Sequence, residues 1–217
     1  MSRLVNMGRK EKDRKQIEDV RLRILEVAKN LFLKDGYEAT SIRKIAAEVQ
    51  LSPTTIYLYY KDKGDIAYTL HKEGFKLLGE QFMVLQHVES GFERLKAMGK
   101  VYLRFAIQNT DFYQLMFIMK EPMDFIADKD SCEWEEGEFA FGALLKTVLD
   151  CKSEGYFKGL NENNVALNVW SLVHGLCSLK LQGHLDHVAS AHLHVPEDRD
   201  LLDEAFETFI MMLDKMK

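Results

Sequence analysis

The chain has 217 residues, 47% hydrophobic and 29% charged, with a net charge of −5 and three cysteines. That balance excludes wholesale disorder and allows one generous domain or two compact ones. No apolar run reaches the length of a membrane span, and Cys132, Cys151 and Cys177, widely spaced and without a C-x-x-C, form no disulfide framework.

The opening segment MSRLVNMGRKEKDRKQ is charged and lacks the apolar run of a signal peptide, so a soluble cytoplasmic protein is expected. Charge is unevenly spread. Residues 1–63 carry 14 Lys and Arg against 9 Asp and Glu, and residues 64–217 carry 15 against 25. A basic head on an acidic body points to a head that meets a polyanion. Apolar residues recur three and four apart, and no stretch alternates over strand length. The expected fold is therefore all-α, with about nine helices.

The spacing of Ile17, Val20, Ile24, Ala28 and Leu31 predicts a first helix from about Gln16 to Lys34, with Gly36 as its stop. The preceding residues 1–15, with six Lys and Arg against two acids, make a basic arm able to reach a minor groove or to stay a solubilising tail. Thr40 or Ser41 caps a short helix with Ile42, Ile45, Ala46 and Val49 inward. After a tight turn at Gln50–Leu51, Ser52 caps the next helix, and Pro53 takes its first position. Two short helices joined by a tight turn make a helix-turn-helix, whose second helix enters the major groove. At 100° per residue Ile56 and Tyr60 face inward. Thr54, Leu58 and Lys61 face outward, with Thr55 and Tyr57 on the flanks. Hydroxyls and ammonium groups there suit phosphate oxygens, and Lys63 adds charge.

The stretch TSIRKIAAEVQLSPTTIYLYYKDKGDI resembles the DNA-binding motif of the TetR family of bacterial transcriptional regulators, through Thr40, Ile45, Ala46, Ser52, Ile56, Tyr57, Tyr60 and Lys63. The resemblance implies that Thr40, Tyr57 and Lys63 grip phosphates. It places Arg43, Thr54, Thr55, Leu58 and Tyr59 near bases or the adjoining backbone; Ser41, Ser52, Pro53 and Lys61, read from capping and projection, complete the expected DNA-binding set. Gln50 stands where the family often has Gly, so a left-handed backbone there costs about 1–2 kcal/mol. No Arg, Asn or Gln occurs among residues 53–60. Direct readout then falls to thymine-methyl contacts from Leu58 or a Thr, and to Arg43 on guanine.

Beyond the head, a connecting helix is expected over residues 63–88, followed by helices over 92–108 and 112–120 with NTD as a turn. EPMDFIADKDSCEWEEGE reads as a loop, and a helix follows from Trp134 to Ser153. An eighth helix carries two apolar stripes, one through Val165, Val169, Leu172, Leu176 and Leu179, the other through Ala166, Trp170, Val173, Cys177 and Leu181. The last helix, about 197–216, supplies Leu202, Phe206, Phe209, Leu213 and Met216. Two apolar faces need two partners. These helices are expected to pair with a second copy as a four-helix dimer interface through Val169, Leu172, Leu176, Leu202, Phe206, Phe209 and Leu213.

Trp170, His174 and Gly175 resemble the Trp-x-x-x-His-Gly signature of a TetR subgroup, whose C-terminal domain holds a small-molecule pocket and a dimerisation face. Candidates for lining such a pocket are Phe105, Tyr113, Met116, Phe117, Phe141 and Trp170, with His174 as a polar handle. The domains expected are a basic arm with helix-turn-helix over 1–62 and an effector-binding and dimerisation body over 63–217. The expectation is a dimeric repressor on a palindromic operator, answering to a small apolar effector, with no cofactor, metal or enzymatic activity. Two alternatives remain: an adaptor of the same fold without DNA affinity, and a metal-dependent enzyme using His184, His187, His192 and His194.

Overall fold

The computed structural model describes the backbone of residues 2–127, 134–193 and 200–217, with side chains from residue 14 onward except at 126 and 127. Eleven α-helices and no strand occur among the described residues, confirming the all-α class. The chain divides into two compact units, residues 1–73 with 114–133, and residues 74–113 with 134–217.

In the first unit, α1 (Ser2–Asp35) is one continuous helix, so residues expected as an arm extend the first helix instead. Its buried stripe is Ile24, Leu25, Ala28 and Phe32, and the N-terminal end of the expected stripe fails because Ile17 is exposed. Gly36, at φ +87, ends the helix. Ser41 then caps α2 (Ile42–Glu48), its hydroxyl accepting from the Lys44 amide. Val49 closes α2, and Gln50 turns the chain at φ +58, the left-handed geometry that a glycine would adopt more easily. Ser52 caps α3 (Pro53–Ile56), its oxygen accepting the Thr55 amide at 3.0 Å. Further turns carry the coil to Tyr60, whose amide reaches the Ile56 carbonyl. Asp62 accepts the Asp65 amide at 2.8 Å, opening α4 (Lys63–Val84).

The expected 112–120 helix is α6 (Thr110–Phe117), and the turn expected over NTD shrinks to its first residue. Only Asn109 departs from helical geometry. The segment read as a loop contains a helix, α7 (Glu121–Ala127). Proline is tolerated in a first turn, where its missing N–H costs nothing, and Phe125 lies against Tyr68 at 5.5 Å between ring centroids. A Cβ on Gly64 would come within 2.6 Å of the Phe125 ring, so that glycine admits the contact.

The second unit packs α5 (Gly91–Gln108) against α8 (Glu135–Ser153) and α9 (Glu162–Leu181). The start of α5 sits hard on α8: a Cβ on Gly91 would lie 2.7 Å from the Cys151 amide nitrogen. Glu154 accepts from the amides of Gly91 and Phe92 and from the Ser90 hydroxyl, and these bonds lower its pKa. Arg94, buried on α5, pairs with Asp150 and donates to Thr147 and the Val88 carbonyl. Gly183, at φ +77, separates α9 from a short α10 (His184–Val188). These two short elements, α7 and α10, account for the excess over the nine helices expected. The final helix, α11 (Leu201–Asp214), is capped by Asp200.

The two-stripe reading of α9 needs correction. Val165, Ala166, Val169, Val173 and Cys177 form one buried face, while Leu172 and Leu176 are half-buried and Leu179 is exposed. On α11, Leu202, Phe206 and Leu213 are buried with Ile210. Val169, Leu202, Phe206 and Leu213 are therefore core of a single chain. Of the expected interface residues only Leu172, Leu176 and Phe209 stay within a partner's reach.

Candidate functional site

The head is held together by polar contacts onto α1. The Arg21 Nε donates to the Tyr60 hydroxyl, which in turn donates to the Arg21 carbonyl, both at 3.3 Å. The Arg23 guanidinium donates to the Val49 carbonyl at 3.1 Å, and Lys44 pairs with Asp35 at 2.9 Å. Burial raises the Tyr60 pKa, keeping its hydroxyl a donor. With Ile56 fully buried and Tyr60 nearly so, the helix beginning at Pro53 has a fixed roll about its axis.

That roll decides what faces solvent. Thr54, Tyr57, Leu58 and Lys61 are exposed, as are Ser41, Arg43, Ser52 and Pro53; Thr55 and Tyr59 are half-buried. Leu58 is 79% exposed, on a turn whose neighbours Ile56 and Tyr60 are buried. A leucine so placed adds nothing to the core, and it suits apolar contact with a thymine methyl. The Ser41 hydroxyl accepts a backbone amide as a cap, which leaves its proton for an outside acceptor such as a phosphate oxygen.

Two expected phosphate contacts sit differently. Thr40 is 1% exposed, and its hydroxyl reaches the Gly36 and Leu31 carbonyls at 2.9 and 3.3 Å. It ties the turn after α1 back onto the last part of that helix and does not stand on the surface with the others. The Lys63 ammonium donates to the Tyr37 carbonyl at 2.8 Å and lies 3.8 Å from the Tyr37 ring centroid. Its charge is pinned beside the head.

The second unit contains a buried polar cluster. His174 Nδ1 lies 3.0 Å from the Tyr102 hydroxyl and 2.9 Å from that of Tyr113, and Tyr113 also donates to the His174 carbonyl at 3.1 Å. The Trp170 indole N–H donates to the Tyr102 oxygen at 3.3 Å. One arrangement gives each donor an acceptor, with no proton between Tyr113 and Nδ1: Trp170 to Tyr102, Tyr102 to Nδ1, Tyr113 to the carbonyl. It leaves the ring proton on Nε2. Burial lowers the His174 pKa and raises those of both tyrosines, so the cluster is neutral.

Of the expected pocket residues, Tyr113, Phe141, Trp170 and His174 are brought together. Phe141 meets Trp170 edge-on at 6.2 Å, and Tyr113 stacks on His174 at 5.4 Å. Phe105 is 1% exposed on α5. Met116, buried, and Phe117, half-buried, fall in the first unit, whereas the other candidates belong to the second. Tyr102 was missed. Its signal was a tyrosine in line with Met98 and Phe105 on a buried face, where the hydroxyl needs a partner.

His184, His187 and His192 are exposed, and no group of three or more metal-ligating side chains occurs among the described residues; His194 and Cys132 lie outside them. Burial pushes the Cys151 and Cys177 thiols up to about 12, which keeps both protonated. No helix among the described residues is long and apolar enough to cross a membrane.

Residues 24–67 match the family described as bacterial regulatory proteins, tetR family, and residues 95–213 match the tetracyclin repressor-like C-terminal domain. A helix-turn-helix transcriptional regulator of Staphylococcus aureus strain USA300 is 30% identical over 97 residues, which are 44% of this chain and 52% of that protein. The chain thus spans about half the length of the curated relatives it matches. Among solved structures, the fatty acid degradation regulator FadR from Bacillus halodurans aligns with a TM-score of 0.68 at 15% identity, over 89% of this chain and 93% of its own. A TetR family transcription regulator from Marinobacter aquaeolei VT8 gives 0.66 at 19%, over 94% and 97%. At these identities the structural likeness shows the fold. The matched C-terminal domain covers more than half of the chain, and with the matched helix-turn-helix it establishes that the protein is a member of the TetR family of DNA-binding transcription regulators.

Proposed function

We propose that the protein is a homodimeric, cytoplasmic one-component repressor that reads a palindromic operator and responds to a small, largely apolar effector. Residues 1–62 would read DNA, and residues 63–217 would bind the effector and dimerise. The observation that carries the reading is the orientation of the recognition helix: Ile56 and Tyr60 inward, and Thr54, Tyr57, Leu58 and Lys61 outward with Leu58 at 79% exposure. Tyr57, Lys61 and the Ser41 hydroxyl serve the phosphates, Leu58 and Thr54 the bases. Arg43 on α2, also exposed, is the candidate for guanine.

A dimer supplies the second head. Half-sites about 34–36 Å apart, one turn of duplex, match a two-fold axis in the protein. The surface offered for pairing is Leu172, Gly175, Leu176 and Leu179 on α9, with Phe209 and Met212 on α11 and Met216 just beyond it. Met212 is 62% exposed, and a Cβ on Gly175 would meet open space, so a partner helix is admitted close to the backbone there. The effector would enter the neutral cluster of Tyr102, Tyr113, Trp170 and His174, whose lack of formal charge favours an uncharged ligand with one hydrogen-bonding group.

A second reading keeps the fold as a protein-binding adaptor. It is favoured by the absence of Arg, Asn and Gln from residues 53–60. Selection of random duplexes on the purified protein, with the enriched sequences read out, separates the two. A palindrome supports the repressor. Salt-sensitive binding without enrichment removes it.

A further inference from the structure

On the second unit, α4 and α8 flank an open groove of about 390 Å³ lined by Lys76, Glu80, Met83, Glu135, Glu136 and Phe139. The volume is that of a site for a small molecule. Its floor is apolar and wet: Met83 is 51% exposed and Phe139 48%. Lys76, Glu80 and Met83 recur at helical spacing along one face of α4, and Glu135 and Phe139 do so on α8. Gly79 shapes the groove from below, since a Cβ there would lie 3.0 Å from the Phe139 ring.

The charges around this floor do not balance. Three carboxylates face one ammonium, and none of the three is paired with Lys, Arg or His among the described residues. Glu135 and Glu136 stand in the first turn of α8, where the helix dipole gives reason enough for them. Glu80 is different. It sits inside α4, next to exposed apolar carbon, with no cap to serve.

We infer that this groove binds a cationic amphiphile, a small molecule with an apolar body and one ammonium group. Its body covers Met83 and Phe139, and its charge lies among Glu80, Glu135 and Glu136, away from Lys76. Charge complementarity selects this occupant. An anionic amphiphile would set its head against three carboxylates, and a neutral one would leave them unanswered. An ammonium also finds the Phe139 ring face and the Met83 sulfur favourable. The site is separate from the neutral cluster around His174 and stands whether or not the protein reads an operator.

The test is isothermal titration of the full chain with decyltrimethylammonium, and with decyl sulfate as the matched anion. Saturable binding of one cation per chain is expected, weaker at high salt, with no saturable binding of decyl sulfate. Glu80→Gln and Glu136→Gln should each weaken it by about two- to five-fold, and Phe139→Ser by about ten-fold. Equal binding of the two detergents, or indifference to both glutamine variants, overturns the proposal. So does a lower sedimentation coefficient in Phe139→Ser, which would make the groove a contact between copies. If Phe139→Ser fails to fold by circular dichroism, the glutamine variants, both on exposed or half-buried positions, still decide. Failure of this site leaves the operator proposal intact, because the duplex selection reads only the head.

Discussion

Thr40 and Tyr57 show how one motif divides its residues between holding the fold and meeting a partner. Thr40 is buried with its hydroxyl on the carbonyls of Leu31 in α1 and of Gly36 just beyond it, whereas Tyr57 is 55% exposed. Thr40→Val should therefore lower the urea unfolding free energy by about 1 kcal/mol, because it removes the hydrogen bond to the Gly36 carbonyl. Tyr57→Phe should leave the unfolding midpoint alone and weaken operator binding. Reversal of these effects would exchange the two roles. His174 makes a second case. Burial holds its pKa below the ordinary 6.5, so the folded state refuses a proton that the unfolded chain accepts. Its contribution to stability is complete above 6.5 and is lost as the pH falls from there through the depressed native value. The ring carbon protons of His174 followed by NMR should titrate below 6.5; a midpoint at or above it would remove burial as the governing cause.

At the scale of elements, short helices owe their existence to what they pack on. α3 has four residues, too few to stand alone, and is fixed by the Ser52 cap, by Pro53 and by the burial of Ile56 and Tyr60. α5 is fixed at its start by α8. The Cβ of Gly91→Ala would meet the backbone at Asp150 and Cys151, which cannot swing aside as a side chain can. That substitution should cost about 2–3 kcal/mol despite alanine's better helix propensity. Urea titration of the variant checks it, and an unchanged or raised midpoint would show the α5–α8 contact to be looser than drawn.

For the whole molecule, the family assignment rests on two matched regions, and the proposed dimer rests on one surface shared by α9 and α11. Met212 is the sharpest probe because it is 62% exposed, so a polar replacement does not disturb the core of one chain. Met212→Glu should shift sedimentation toward monomer, since pairing would bury unpaired carboxylates. Operator affinity should fall by about ten-fold or more as two heads become one. A variant that stays dimeric would move the interface elsewhere.

Sequence by itself determined the helix-turn-helix and its orientation. Caps, proline, glycine and the 100° projection are local rules, and Ser41, Ser52, Pro53, Ile56 and Tyr60 all obey them. It also determined the all-α class, through apolar spacing. Periodicity marks an apolar face but does not say what covers it, so Val169, Leu202, Phe206 and Leu213 read as interface and proved to be core. Nor does spacing place a side chain against a residue some sixty or seventy positions away, as Tyr102 and Tyr113 stand against His174. α7 was hidden for the same reason. Its seven residues are too short a stretch to show a helical period, and the Phe125 ring finds its place only where Gly64 leaves room for it. Such contacts belong to the packed chain, because burial depends on neighbours in space while caps and turns depend on neighbours in sequence.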